Sequence, residues 1–124
     1  MSPSTHRTRI KICGLTREAD VDAAVAAGAD AIGFVLYPKS PRFVAPARAA
    51  ELARRLPPFV TPVLLFVNEN AINIEAACAH VAGATMQFHG DESAADCVAV
   101  ARTTGRPFMR AARIPAPPAA MPDL

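Results

Sequence analysis

The feature that most constrains the fold is a regular alternation of short apolar runs with alanine-rich segments of helical periodicity. The runs have the length of β-strands, and several are almost continuously apolar, which is typical of strands buried on both faces of a parallel sheet. The alanine-rich segments carry apolar residues at helical spacing and end near Gly or Pro. The pattern predicts strands at 9–13, 31–36, 63–67, 85–88 and 106–112, and helices at 18–27, 47–56, 71–81 and 94–104.

A strand followed by a helix occurs four times, and a fifth strand then begins. Apolar strands that alternate with helices imply a parallel sheet with right-handed crossovers. Each repeat has the size of one βα unit, whereas a whole eight-unit barrel usually needs roughly 200 residues or more. We therefore predict an α/β fold of the (β/α)8 TIM-barrel type, present here as an incomplete barrel of about four βα units plus a fifth strand. In this prediction the 124 residues divide into a polar N-terminal tail (1–8), the barrel domain (9–112) and a truncated Pro/Ala-rich end (113–124).

Composition argues against several classes of function. The formal net charge is only +2, which gives no electrostatic case for a nucleic-acid partner. Residues 1–7 are polar, unlike a signal peptide, and the most apolar segment, 59–67, is too short to span a bilayer. The three cysteines, Cys13, Cys78 and Cys97, show neither a CxxC pair nor zinc-type spacing. We therefore expect a reduced, cytoplasmic protein that does not associate with membranes.

Cys13, at the end of the first predicted strand, is the strongest candidate for chemistry. Ligands of α/β proteins bind at the carboxyl ends of the strands, and Gly14 can adopt backbone angles that other residues avoid. Thr16 is expected to cap a helix that begins at Arg17, with Glu18 in its first turn. The positive end of that helix would favour the thiolate over the thiol. Cys13 is therefore predicted to be a catalytic base or nucleophile; the alternative is a small buried apolar residue, as most free cysteines are.

Five short motifs occur in order, each near the end of a predicted strand. They are residues 11–16 (KICGLT), 28–35 (GADAIGFV), 37–42 (YPKSPR), 66–68 (FVN) and 86–92 (MQFHGDE). Over about residues 9–112, this series resembles phosphoribosylanthranilate isomerase, a (β/α)8 enzyme of tryptophan biosynthesis. Met86 and Phe88 depart mildly from the family pattern, and we expect them to change the packing rather than the chemistry.

The resemblance implies an Amadori rearrangement of N-(5-phosphoribosyl)anthranilate to 1-(2-carboxyphenylamino)-1-deoxyribulose 5-phosphate. A general acid protonates the furanose ring oxygen, and the ring opens to a Schiff base. A general base with a pKa near the operating pH then removes the proton on C2, and the resulting enolamine becomes the ketone. The iminium carbon is itself the electron sink, so the resemblance implies no cofactor and no metal. It places the general base on Cys13 and makes a small phosphosugar–anthranilate molecule the binding partner.

The resemblance also assigns three residues to substrate binding. Arg42, in the loop after the second strand, would hold the anthranilate carboxylate bidentately; the alternative is a solvated loop arginine. Gln87 and His89 flank the end of the fourth strand, where the family lines its pocket, although His89 could instead be bonded to local backbone. Asn68 could face the pocket or serve in a turn.

The remaining polar residues are expected to have structural roles. Cys78 and Cys97 fall on helices and are expected to pack in the core. Asp91 and Glu92 are expected to be carboxylates at a helix N-terminus rather than acids in the mechanism. In the family, the general acid is an aspartate after the sixth strand, and the phosphate is bound after the seventh and eighth. Asp123 is not assigned that role, and we expect the chain alone to be inactive.

Two other functions stay open from the sequence. Another phosphosugar barrel, such as a pentose-phosphate epimerase, would need metal-binding histidine and aspartate pairs at the strand ends, where only His89 is available. A non-catalytic fragment or assembly module fits the length of the chain but none of its motifs. An unclosed barrel would also expose its first and fifth strands as edges, so we expect self-association through those edges.

Overall fold

The computed structural model describes residues 6–115, so Asp123 and most of the predicted Pro/Ala-rich end lie outside the described residues. The described chain alternates strands and helices throughout. The strands are β1 (Lys11–Cys13), β2 (Ala31–Val35), β3 (Thr61–Phe66), β4 (Thr85–Phe88) and β5 (Phe108–Arg110). The helices are α1 (Glu18–Ala26), α2 (Pro46–Ala53), α3 (Ala71–His80) and α4 (Ala94–Thr104).

The five strands form one parallel sheet whose spatial order, β1-β2-β3-β4-β5, is the order of the chain. Each helix connects two neighbouring strands, as in the βα units of an α/β barrel. Within residues 6–115, β1 and β5 each pair on one side only, so the sheet is a partial, open barrel. The predicted fold class is confirmed.

Side chains alternate between the two faces of this sheet, and only one face carries the helices. The core between sheet and helices includes Phe66, Met86 and Phe88, all nearly inaccessible to solvent. The ring of Phe88 lies 6.4 Å from that of Phe66 and 6.0 Å from that of Phe108, measured between centroids. Met86 and Phe88 are therefore packing residues, as predicted. The opposite face carries Lys11, Cys13, Gly33, Val63, Leu65 and Gln87.

Strand β3 begins two residues earlier than predicted and contains Pro62. Proline lacks an N–H group and is usually excluded from the interior of a sheet. Here, pairing with β4 starts only at Val63, so Pro62 precedes the part of β3 that is paired on both sides. Strand β3 therefore includes Pro62, which the apolar pattern alone places before the strand.

The predicted capping of α1 by Thr16 is wrong. The N-cap is Arg17, which makes no side-chain capping bond, and the helix begins at Glu18. Thr16 lies one residue too early; its backbone oxygen instead accepts a hydrogen bond from Arg48 Nη2 at 3.2 Å. Helix α4 does have a side-chain cap, because Ser93 Oγ accepts a hydrogen bond from the backbone N–H of Asp96 at 3.1 Å. No helix within residues 6–115 combines the length and apolar character needed to cross a bilayer.

Candidate active site

Four loops lie at the carboxyl edge of the sheet, and every candidate residue lies on or beside them. They connect each strand to the next helix and span residues 14–17, 36–45, 67–70 and 89–93. Because the strands are parallel, their carboxyl ends meet at this one edge, the position at which α/β proteins bind ligands.

Cys13 ends β1 with its side chain on the face away from the helices, and it is only partly buried. Gly33, its partner on β2, makes room for the thiol: a Cβ atom at Gly33 would lie 2.7 Å from Cys13 Sγ. The other cysteines differ, as predicted. Cys78 and Cys97 are buried on α3 and α4, and burial raises the pKa of both thiols. Cys13 is thus the accessible thiol of the described residues.

Arg42 lies beside Cys13. Its Nη1 donates to the backbone oxygen of Cys13 at 3.2 Å, and its backbone N–H donates to Ser40 Oγ at 3.1 Å. The guanidinium lies against Gly14, where a Cβ atom would be 2.7 Å from Arg42 Cζ. Gly14 also has a φ of +86°, which side chains disfavour. Glycine at 14 therefore permits both the turn after β1 and the close approach of Arg42.

Gln87 is held by Lys11, a residue for which no role was predicted. Lys11 Nζ donates to Gln87 Oε1 across the open face of the sheet. A lysine ammonium donates only, so the amide oxygen must face Lys11 and the amide NH2 group is directed elsewhere. The signal for Lys11 was its spacing: it precedes Cys13 by two residues on a strand and therefore shares its face.

His89 lies just beyond β4 with an exposed side chain. Its backbone N–H donates to Phe66 O at 2.9 Å, which extends the pairing of β3 with β4 by one residue. His89 follows Gln87 by two residues, so strand alternation puts both on the same face, with His89 nearer the carboxyl edge. Within residues 6–115, no hydrogen bond links the His89 side chain to Cys13, Arg42 or Gln87.

The third and fourth loops are joined by Asn68 and Glu92. Glu92 accepts from the backbone N–H of Asn68 and from that of Gly90, each at 2.8 Å. Asn68 has a φ of +49°, and its Oδ1 accepts from the backbone N–H of Asp91 at 2.8 Å. Asn68 therefore serves in a turn, one of its two expected roles. Glu92 immediately precedes the N-cap Ser93, so it lies at the N-terminus of α4 as expected, but its carboxylate binds the backbone of two loops rather than that of the helix.

A salt bridge between Arg48 and Glu18 lies at the end of the loop that follows Cys13. Arg48 on α2 donates to both carboxylate oxygens of Glu18, at 2.7 and 2.8 Å. These hydrogen bonds lower the pKa of Glu18 to about 2. The salt bridge thus ties the start of α1 to α2, and so joins the first and second βα units.

Comparison with known families now decides the relationship. Residues 10–116 match the family described as N-(5'phosphoribosyl)anthranilate (PRA) isomerase. The chain belongs to this family. The predicted resemblance is therefore confirmed.

Curated PRA isomerases include relatives of high sequence identity. The chain is 67% identical over 108 residues to the N-(5'-phosphoribosyl)anthranilate isomerase of Methylibium petroleiphilum, and the match covers 87% of this chain and 49% of the relative. It is 61% identical over 114 residues to that of Leptothrix cholodnii, covering 92% of this chain and 49% of the relative. The chain therefore spans about half the length of these relatives.

Solved PRA isomerases share the same architecture. One, in complex with reduced 1-(o-carboxyphenylamino)-1-deoxyribulose 5-phosphate, is 38% identical with a TM-score of 0.79; the match covers 84% of this chain and 53% of that one. The isomerase of Thermus thermophilus is 35% identical with a TM-score of 0.81, covering 90% and 55% of the two chains. The partial barrel thus superposes on about half of a PRA isomerase.

Proposed function

We propose that this chain supplies the thiol-bearing half of a phosphoribosylanthranilate isomerase site, with Cys13 as the general base. The observation that carries the proposal is the position of Cys13. Its thiol is accessible at the carboxyl end of β1, on the open face of the sheet, with the guanidinium of Arg42 at its backbone oxygen. Membership of the isomerase family supports the reaction.

In the proposed reaction, this half of the site carries out one proton transfer. Once the sugar ring has opened to the Schiff base, the Cys13 thiolate removes the proton on C2. The C2 electron pair forms a double bond to C1, and the iminium nitrogen takes up the electrons of the C=N bond. The neutral enolamine then becomes the ketone. A positioned base of this kind typically accelerates the reaction 10²- to 10⁴-fold.

Three residues are proposed to bind the substrate. Arg42 offers a planar, permanently charged fork that suits the anthranilate carboxylate. Gln87 offers its NH2 group, because Lys11 occupies the amide oxygen. His89, exposed and two residues nearer the carboxyl edge than Gln87, is proposed to donate to a sugar hydroxyl or to the carboxylate.

The chain assayed alone is expected to show no turnover. Its five described strands carry the proposed base, whereas the family resemblance places the general acid and the phosphate site on later strands. A steady-state assay of the 124-residue chain with N-(5'-phosphoribosyl)anthranilate tests this expectation directly, and measurable turnover would contradict it.

The proposed function itself is tested by joining the 124-residue chain to the C-terminal half of the Methylibium petroleiphilum isomerase. The joined protein is expected to have isomerase activity, and Cys13→Ala should lower kcat by about 10²-fold or more. Cys78→Ala, which removes a thiol from α3, is the matched control and should retain activity. An active joined protein in which Cys13→Ala has no effect would exclude Cys13 as the base.

We also propose that the chain self-associates through its sheet edges. Ile12 on β1 and Met109 on β5 are 37% and 41% exposed, and both strands pair on one side only within the described residues. Exposed strand edges with apolar side chains favour pairing with another chain. Light scattering at increasing concentration should show a rising mass, and a constant monomer mass would contradict self-association.

A further inference from the structure

We propose that Glu92 and Asn68 are positioning residues that hold the turn formed by His89 and Gly90 where the substrate binds. Neither side chain has been assigned to the substrate. Their role is to set the position of His89, and this part of the inference rests on the proposed function. The contacts that define the role belong to the fold itself and are tested separately.

The Glu92 carboxylate uses both of its oxygens. Oε2 accepts from the backbone N–H of Asn68, and Oε1 accepts from the backbone N–H of Gly90, each at 2.8 Å. The two donors lie on loops of different βα units. Hydrogen bonds to a charged acceptor are shorter and stronger than neutral ones, so one side chain joins the third loop to the fourth.

Asn68 adds a second link in the opposite direction. Its Oδ1 accepts from the backbone N–H of Asp91 at 2.8 Å. Its φ of +49° lies in the left-handed region, which asparagine tolerates better than most residues. The approach needs glycine at 90, since a Cβ atom there would lie 2.8 Å from Asn68 Cγ.

The segment around His89 is thereby held on both sides. Before it, the backbone N–H of His89 donates to Phe66 O at 2.9 Å. After it, Gly90 is bound by Glu92, whose own backbone oxygen accepts from Arg110 Nε at 2.8 Å. The exposed imidazole thus projects from a backbone that Glu92 fixes, although Glu92 need not touch the substrate.

Three variants separate these contacts. Glu92→Gln keeps the size of the side chain but replaces one acceptor oxygen with an NH2 donor, which opposes a backbone N–H. Asn68→Gly keeps the left-handed backbone accessible and removes the side chain whose oxygen accepts from Asp91. Asp91→Asn is the matched control, because Asp91 contributes its backbone N–H and the substitution keeps that group while removing a neighbouring charge.

The contacts are tested first in the 124-residue chain by amide hydrogen exchange. Glu92→Gln should speed exchange at the amides of Asn68 and Gly90 by about tenfold. Asn68→Gly should speed exchange at the amide of Asp91, and Asp91→Asn should leave all three amides unchanged. Unaltered exchange at positions 68 and 90 in Glu92→Gln would overturn the inference.

The positioning role is tested next in the joined isomerase. Glu92→Gln should raise KM by about fivefold while kcat changes much less, because binding rather than proton transfer is affected. A purely structural role would reduce the amount of folded enzyme and leave KM unchanged. A KM equal to that of Asp91→Asn would therefore overturn the positioning role. If the unsubstituted joined protein is inactive, the proposed function fails and the role at His89 fails with it, while the exchange rates still decide whether Glu92 holds the turn.

Discussion

Arg42 donates from Nη1 to the backbone oxygen of Cys13 at 3.2 Å, and thus contacts the main chain of Cys13 rather than its sulfur. This link joins the second loop of the carboxyl edge to the end of β1. It does not engage Cys13 Sγ, and it holds the guanidinium at the carboxyl end of β1, against Gly14. The proposed carboxylate-binding group and the proposed base are therefore linked through one backbone oxygen.

Arg42→Lys is expected to raise KM of the joined isomerase by about tenfold. Lysine keeps the charge but loses the planar fork that binds a carboxylate bidentately. Because Arg42 is exposed, the free energy of unfolding should change by no more than about 0.5 kcal/mol. Arg54→Lys, an exposed arginine at the end of α2, is the control for steady-state kinetics. Equal KM values in the two variants would count against Arg42 as a substrate ligand.

Cys13 is expected to react with iodoacetamide well before the other two cysteines. It is partly accessible, whereas Cys78 and Cys97 are 2% and 1% exposed. Burial also raises the pKa of the Cys78 and Cys97 thiols, so less of the reactive thiolate forms. Mass spectrometry of the native chain should find one label, on Cys13, and three labels after denaturation. Early labelling of Cys78 or Cys97 would show that the helix layer is not packed as described.

Gly33→Ala is expected to displace the Cys13 thiol and to lower the free energy of unfolding by about 1–3 kcal/mol. The added Cβ would lie 2.7 Å from Cys13 Sγ. Much of that cost should disappear in a Cys13→Ala background, since the sulfur is then absent. Urea unfolding of the two single variants and the double variant measures this coupling. Equal costs in both backgrounds would mean that Gly33 does not accommodate the thiol.

The order of elements could be predicted from the sequence because each βα unit repeats the same local pattern. The placement of Cys13 followed from its position at the end of the first predicted strand. Thr16 failed as a cap because the first helical residue is decided by tertiary contacts, among them the bond from Arg48 to the backbone of Thr16. Residue patterns locate element ends only to within a residue or two.

The contacts between residues far apart in the sequence were the part that the sequence could not reveal. Lys11 and Gln87 are 76 residues apart, and Glu92 bonds the backbone of Asn68 across 24 residues. Local spacing does not indicate which residues of two different strands contact each other. It also does not indicate that a carboxylate after β4 accepts a hydrogen bond from the loop after β3. Glu92 was therefore expected at a helix N-terminus, where its position alone would place it.

Glu18→Gln is expected to reduce the loss of folding stability that occurs as the pH falls into the acid range. The folded-state pKa of Glu18 is about 2, against an ordinary value of 4.5, first because Arg48 donates to its carboxylate. A carboxyl group whose pKa is lowered by folding stabilises the fold when the pH is above the pKa of that group in the unfolded state. This contribution is lost as the pH falls from 4.5 toward 2. Urea midpoints across this range should fall less steeply in Glu18→Gln. Glu75→Gln, on an exposed part of α3, is the control, and an identical slope in both variants would contradict the assignment.

Gln87→Glu is expected to weaken substrate binding without unfolding the barrel. The Lys11 ammonium donates to Gln87 Oε1, and a carboxylate at 87 would accept that bond at least as well. It would have no NH2 group left to donate, and its charge would repel an anionic substrate. KM of the joined isomerase should therefore rise by about tenfold or more, while the urea midpoint stays the same or increases. A fall in the urea midpoint would show that Lys11 does not face residue 87, and an unchanged KM would show that the amide NH2 does not contact the substrate.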